Sequence, residues 1–332
     1  MFLRSVIVFF IFILILAEAP AIAQSNLKVI ELDDSFKSIK LNSLLYKYHD
    51  KENEHDGPNE KLFSHLELNT SAMIMEPHST GNLWLAFKVD NKENKSTKHV
   101  LHIDSVQTGL VKVYIIDKLG KIININLTGT AIRPKQRSEV SHMSAVEIKL
   151  TPKQEVTIVI KRISNYMFNG NIYLMTEKVF KKKELSDIIF LSVYFGATFA
   201  LILYNLFVFF YSKNFIYLSY VEFTLSLSIL LLIVFGGYDL FLYDLLGLNL
   251  TENISLFTAF LTIAGYNFCR VLFGKDYLPD NSKIFFKALL IISLISILVI
   301  LSPFWNGIIS VIFNYLYDFL IVFVILLIFK HS

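Results

Sequence analysis

The stretch YNLFVFFYSKNFIYLSY, residues 204–220, joins two long apolar runs through little more than Ser212, Lys213 and Asn214. A chain turns that sharply between greasy segments when both sit in one slab of hydrocarbon and it must return across it. The amide of Asn205, just before the turn, is then a polar group inside the slab. These residues predict a helix hairpin in a membrane.

Around the hairpin, five apolar segments cover about residues 187–211, 216–235, 253–273, 284–302 and 308–329. Each has close to the roughly 20 residues needed to cross about 30 Å of hydrocarbon. Backbone polar groups in lipid must pair within their own segment, which makes these segments helices. Upstream the composition changes. Residues 26–183 are rich in Lys, Asn, Ser and Thr, so the chain reads as a soluble domain followed by a membrane domain.

The first 23 residues read as a secretory signal, with basic Arg4, an apolar stretch and the small-residue site Ala21, Ile22, Ala23. The domain of residues 24–180 is therefore expected outside the cytosol. Its positive charges do not form a basic face, and the whole chain carries only +3, which excludes nucleic acid as a partner. Cys269, the single cysteine, lies in an expected membrane helix, so the exported domain must be held by an apolar core rather than disulfides.

From residue 83 to 175 the chain alternates in short runs, among them LWLAFKVD, LVKVYII, SAVEIKL and EVTIVIKRI. Leu83, Leu85, Phe87 and Val89 share one face of a strand, as do Val111, Val113 and Ile115 of another. Turn signals such as Asp90-Asn91-Lys92, Thr108-Gly109 and Leu119-Gly120 separate the runs. That spacing predicts an antiparallel sandwich. Residues 35–76 are less regular and read as loop with one short helix.

Seven of the eight histidines fall in this domain, but only His99 and His102 are close, and a strand turns them to opposite faces. They read as surface histidines, with no metal site. Trp84, among apolar neighbours, reads as core. Nucleophile, redox and zinc-hydrolase motifs are missing, so neither an enzyme nor a cofactor is expected.

Loop charge fixes the orientation. With the sandwich outside, Lys213, Arg270, Lys275, Lys283, Lys287 and Lys330 lie on the cytosolic side. The outer loops, residues 236–252 and 303–307, hold no Lys or Arg. Only Lys181-Lys182-Lys183 runs against this pattern. Asn205 then sits about 9 Å from the inner end of the first helix. Glu222, Asn267 and Arg270 lie at similar depth, which predicts a polar cluster with a Glu222–Arg270 ion pair; interhelical glue or snorkelling of Arg270 to the headgroups is the alternative. Asn314 and Asp318 fall near mid-membrane on the last segment, as an ion site or as packing partners.

The order of parts resembles the bacterial seven-transmembrane receptors with diverse intracellular signalling modules. Stretches carrying the resemblance are LLYKYHDKE, GNLWLAFKVDN with Trp84 and Asn91, VYIIDKLGKI, TGTAIRP and VTIVIKRIS. In the membrane part they are GATFALILYNLFVFFYSKNFIYLSYV, with Gly196, Tyr204, Asn205, Tyr217 and Tyr220, and CRVLFGKDYLP. The resemblance implies a jelly-roll-like sandwich similar to carbohydrate-binding domains, followed by an all-α transmembrane bundle in the bacterial inner membrane. It also implies a small-molecule or carbohydrate ligand outside and an output domain inside. Here five helices stand where the family has seven, and no GGDEF-like loop or kinase ATP motif follows. The expectation is a truncated or partner-dependent sensor, embedded in lipid, whose signalling partner protein lies in the cytosol or membrane. A transporter or accessory subunit, with Asp318 and Asn314 on the path, is the alternative.

Overall fold

The computed structural model describes residues 27–76, 81–105, 108–139, 141–164, 168–238 and 254–273, with single helical positions at Lys287, Ile291, Leu294, Ile295 and Leu298. The signal segment, the expected helix at 308–329 and its Asn314 and Asp318 lie outside the described residues.

Two sheets face each other. The first runs β4 (Glu67–Leu68), β3 (Tyr46–Asp50), β6 (Asn82–Asn91), β11 (Glu155–Ile163), β8 (Leu110–Ile116) and β9 (Ile122–Thr128), with β1 (Val29–Leu32) added to β6. The second runs β10 (Ser144–Leu150), β7 (Thr97–Asp104), β12 (Phe168–Thr176) and β2 (Ser38–Lys40), with β5 (Ile74–Glu76) added to β12. Every pairing is antiparallel except β1 with β6. Strand β6 carries β3 and β1 end to end along one edge: β3 pairs with residues 82–86 and β1 with residues 88–91.

Period-two alternation explains the core. Leu83, Leu85, Phe87 and Val89 of β6 and Val111, Val113 and Ile115 of β8 point inward. They meet Leu101 and Ile103 of β7, Val146 and Ile148 of β10, and Ile172 and Leu174 of β12. Each such side chain contributes about 1.5–3 kcal/mol on burial. Trp84 faces the other way. Together with Ala86, Tyr114 and Val159 it is covered by Leu62 and Phe63 of the short helix α1 (Glu60–His65). Its ring stacks on Tyr114 at 6.2 Å and lies under the Lys161 ammonium at 4.8 Å. Trp84 is core.

Two readings of the sequence need correction. Residues 35–76 are not mainly loop: besides α1 they hold β2, β3, β4, β5 and a 3-10 turn at Asn42–Leu44. These strands have two to five residues, too few to show a period. Asn42 ties the segment down, its side chain accepting from Ile172 N (2.9 Å) and donating to Ala72 O (3.1 Å) and Asn171 Oδ1 (3.0 Å). Nor are the close histidines on the surface. His99 and His102 do take opposite faces of β7, but both are 3% exposed. Phe36 covers the first, and Tyr173 and Phe180 cover the second.

The outer face of the second sheet is where the helices begin. Val100, Met143, Ala145 and Met175 pack on Phe180 of α2 (Glu177–Ser212), which follows β12 without a break. Thirty-six residues make a rod of about 54 Å, longer than the hydrocarbon is thick. Its first ten residues precede the apolar segment that begins at residue 187 and carry Lys181, Lys182 and Lys183. The lysine run that opposes the loop-charge pattern is thus the polar end of an overlong helix.

The hairpin at the start of the argument has both caps. Lys213 takes the left-handed conformation (φ 56°), donating its N–H to Phe209 O, and Asn214 Oδ1 accepts from Ile216 N at 3.0 Å. Helix α3 (Phe215–Val234) then returns alongside α2, and α4 (Ile254–Phe273) packs on α3. Among the described residues, α2 and α3 are long and apolar enough to cross a membrane, and most of their apolar side chains face outward.

Candidate functional site: the sandwich–membrane junction

Two attachments fix the sandwich on the helices. The first is α2 itself, anchored by Phe180 and by Glu184, whose Oε1 accepts from Ser141 Oγ at 2.6 Å. The second comes from the far end of α3. There Gly236 (φ 72°) lies so close to the carbonyl of His142 that a Cβ would overlap its oxygen. Left-handed backbone and close approach both call for glycine. The loop preceding β10 is therefore gripped by both helices of the hairpin.

Between these attachments lies a cavity of about 260 Å3. Its roof is polar, with His102, Asp104, His142 and Ser144 from the sandwich, and Lys183 and Asp187 from α2. Its floor is apolar, with Phe190 and Leu191 of α2 and Ile233 of α3. Lys183 and Asp187 pair at 3.0 Å. His102 and His142 are buried at 3% and 8% exposure. Nδ1 of His142 faces Glu184 Oε1 at 4.0 Å, and the ring nitrogens of His102 make no close hydrogen bond among the described residues. Burial holds the His102 imidazole down to about 4 and also lowers His142, against the opposing pull of Glu184, so both rings are neutral at pH 7.

A second cavity, about 360 Å3, lies where edge strands β9 and β10 of the two sheets approach. Its lining is rich in amides and other hydrogen-bonding groups: Asn124, Asn126, Ser138, Glu147, Lys149 and Gln154, beside Ile123. Asn126 Nδ2 is buried with no partner among the described residues.

The expected intramembrane cluster forms in altered shape. Asn267 Nδ2 donates to Glu222 Oε2 at 2.7 Å, and Arg270 donates to Asn267 Oδ1 at 3.2 Å. Asn267 thus stands between acid and base as a neutral relay, where the sequence predicts a direct Glu222–Arg270 pair. Asn205 stays outside the relay. Its amide donates to Leu201 O of its own helix at 2.8 Å. His142, Lys183 and Gly236 escape a reading by sequence because their meeting depends on distant contacts. The only local hint is the pair Gly236-Gly237 closing an apolar span.

A β-sandwich seated by two contacts on a helix hairpin with lipid-facing apolar sides defines a multi-pass membrane protein with an extracellular N-terminal domain. The family comparisons narrow this. The family described as 7TM diverse intracellular signalling matches residues 187–331, and its companion, 7TMR-DISM extracellular 2, matches residues 60–176. The chain belongs to this family and carries both its membrane domain and its extracellular domain. Among solved structures, it is similar to one described as "Structural basis for the promiscuous specificity of the carbohydrate-binding modules from the beta-sandwich super family". Identity is 16%, with 42% of this chain and 55% of that chain covered at a TM-score of 0.20. The chain thus spans about half the length of that protein. No curated protein matches.

Proposed function

We propose that this receptor works without enzymatic activity of its own in the bacterial inner membrane, with its C-terminal end in the cytosol. It binds a carbohydrate outside and passes the change through its helices to a signalling partner protein. The observation that carries this reading is the double seating of the loop before β10. A ligand that shifts β10 against β7 must move Glu184 and Gly236 with it, and so the outer ends of α2 and α3. Rigid elements with two attachment points transmit such shifts rather than absorb them.

The groove between β9 and β10 is the carbohydrate site in this account. Sugar hydroxyls both donate and accept, and Asn124, Asn126, Glu147 and Gln154 offer both kinds of group, with the Asn126 Nδ2 donor, which has no partner among the described residues, as the anchor. Its wall includes β10, the strand that follows the gripped loop. A glycan array probed with the purified full-length chain tests the assignment. Binding that falls at least about tenfold in Asn126→Ala, the equivalent of roughly one lost hydrogen bond in a buried site, supports it. Glycan binding indifferent to Asn126 sinks it.

A further inference from the structure

The junction cavity is not the only space between the two helices among the described residues. One turn further along the same two helices a second groove opens, about 260 Å3, lined by Thr198, Phe199 and Ile202 of α2 and by Leu225, Ser228 and Leu232 of α3. Thr198 and Ser228 spend their hydroxyls on their own helices, at Tyr194 O and Thr224 O, which leaves an apolar trough. A polar chamber therefore stands in line with an apolar groove along the same two helices, with Leu191 and Ile233 between them. That sequence of surfaces matches an amphiphile.

Chemistry in the chamber selects the head. Each neutral imidazole, His102 and His142, has one acceptor nitrogen and one N–H; the acceptor takes an N–H or O–H from a head group, and the N–H of His142 has Glu184 within 4.0 Å. The charges facing the chamber are Asp104, Asp187 and Lys183. Lys183 is already paired with Asp187, which leaves Asp104 in excess. A head rich in donors and free of net negative charge fits; an anion with acceptors alone meets Asp104. We propose that the chamber and groove together hold one outer-leaflet phospholipid whose zwitterionic head carries N–H donors, its acyl chain lying between α2 and α3. The ammonium faces Asp104 and the imidazoles, and its phosphate lies on the side of Lys183. Such a lipid would fill the space between sensor and hairpin and stiffen the junction. The assignment stands whether or not the sandwich binds a glycan.

Phosphatidylethanolamine and phosphatidylcholine share charge and backbone and differ in the N–H donors, so they separate a built site from lipid that merely surrounds the helices. The full chain, released from nanodiscs holding both lipids with phosphatidylglycerol in equal amounts, is examined by native mass spectrometry for the lipid it keeps. The expected result is retention of phosphatidylethanolamine about tenfold above the other two, the worth of one charge-assisted hydrogen bond. Asp104→Asn, at an exposed position that does not threaten folding, removes the preference for that head. Ser228→Phe fills the groove and removes retention of all three lipids. Equal retention of ethanolamine and choline lipids, meaning surrounding lipid only, overturns the proposal. So does preferential retention of phosphatidylglycerol, or a preference unchanged in both variants.

Discussion

Gly236, past the end of α3, lies against the carbonyl of His142 in a left-handed conformation that leaves no room for a Cβ. This contact joins the sandwich to the return helix of the hairpin, with Glu184 holding the same loop from α2. The first prediction concerns it. Gly236→Ala combines backbone strain with overlap, and strain of this kind costs about 1–3 kcal/mol. The sandwich core, which is remote, stays folded. Limited proteolysis should therefore cut near residues 141–144 faster in the variant, while the near-ultraviolet signal of Trp84 persists.

Asn42 is a second test, of the sandwich alone. Its side chain fills three hydrogen-bonding roles in a buried place, linking the 3-10 turn to β12. Asn42→Ala strands Ile172 N and lowers stability by about 2–4 kcal/mol. Asn42→Asp keeps the acceptor but buries a carboxylate oxygen against Ala72 O and Asn171 Oδ1, and should cost more than the alanine. Chemical denaturation of the full chain with Trp305 replaced by phenylalanine, followed by the fluorescence of Trp84, measures both.

Acid should loosen the junction. Burial depresses the His102 pKa to about 4, below its ordinary value of 6.5. Between those values the unfolded chain binds the proton and the folded chain does not, so stability falls as pH drops through that window. His142, also lowered by burial, adds to the trend in the same direction. Thermal melts at pH 7 and pH 4.5 should differ more in the wild type than in His102→Phe, which keeps the stacking on Tyr173 and Phe180 and cannot titrate.

Within the membrane, Asn267 is predicted to matter more than its neutral charge implies. It bridges Glu222 and Arg270, and interhelical hydrogen bonds of this kind contribute about 0.6–1.7 kcal/mol. Asn267→Leu should weaken α3–α4 association by that order. In a double-mutant cycle with Glu222→Gln the two changes should be non-additive, as read from unfolding in mixed micelles. Additive effects would mean that the relay has no energetic coupling.

Much of this molecule is legible in the sequence because its longer elements keep a period. Strands β6 to β12 follow alternation and turn residues, and Trp84 is recognisable as core from its neighbours. The hairpin at Ser212–Asn214 announces itself, since two apolar runs leave space only for a capped turn. Other features are hidden for identifiable reasons. Strands β1 to β5 are too short for alternation to register, and β1 joins in parallel through a distant partner. The histidines are buried by Phe36, Tyr173 and Phe180, a cover that only the tertiary fold supplies. In the membrane cluster, residue types and depth give the membership of Glu222, Asn267 and Arg270. Side-chain direction decides the rest, sending the Asn205 amide to Leu201 and placing Asn267 between the charges.

The most direct test of the account is a distance across the inner ends of the helices. Tyr211 on α2 and Leu272 on α4 are exposed positions suited to spin labels, once Cys269 is replaced by serine. Pulsed electron paramagnetic resonance on the doubly labelled chain, with and without a glycan that binds it, reads whether a change outside reaches the inner side. The account predicts a shifted distance distribution on binding, and no shift when Gly236→Ala has broken the seating. A glycan that binds tightly while the distribution stays the same would contradict it.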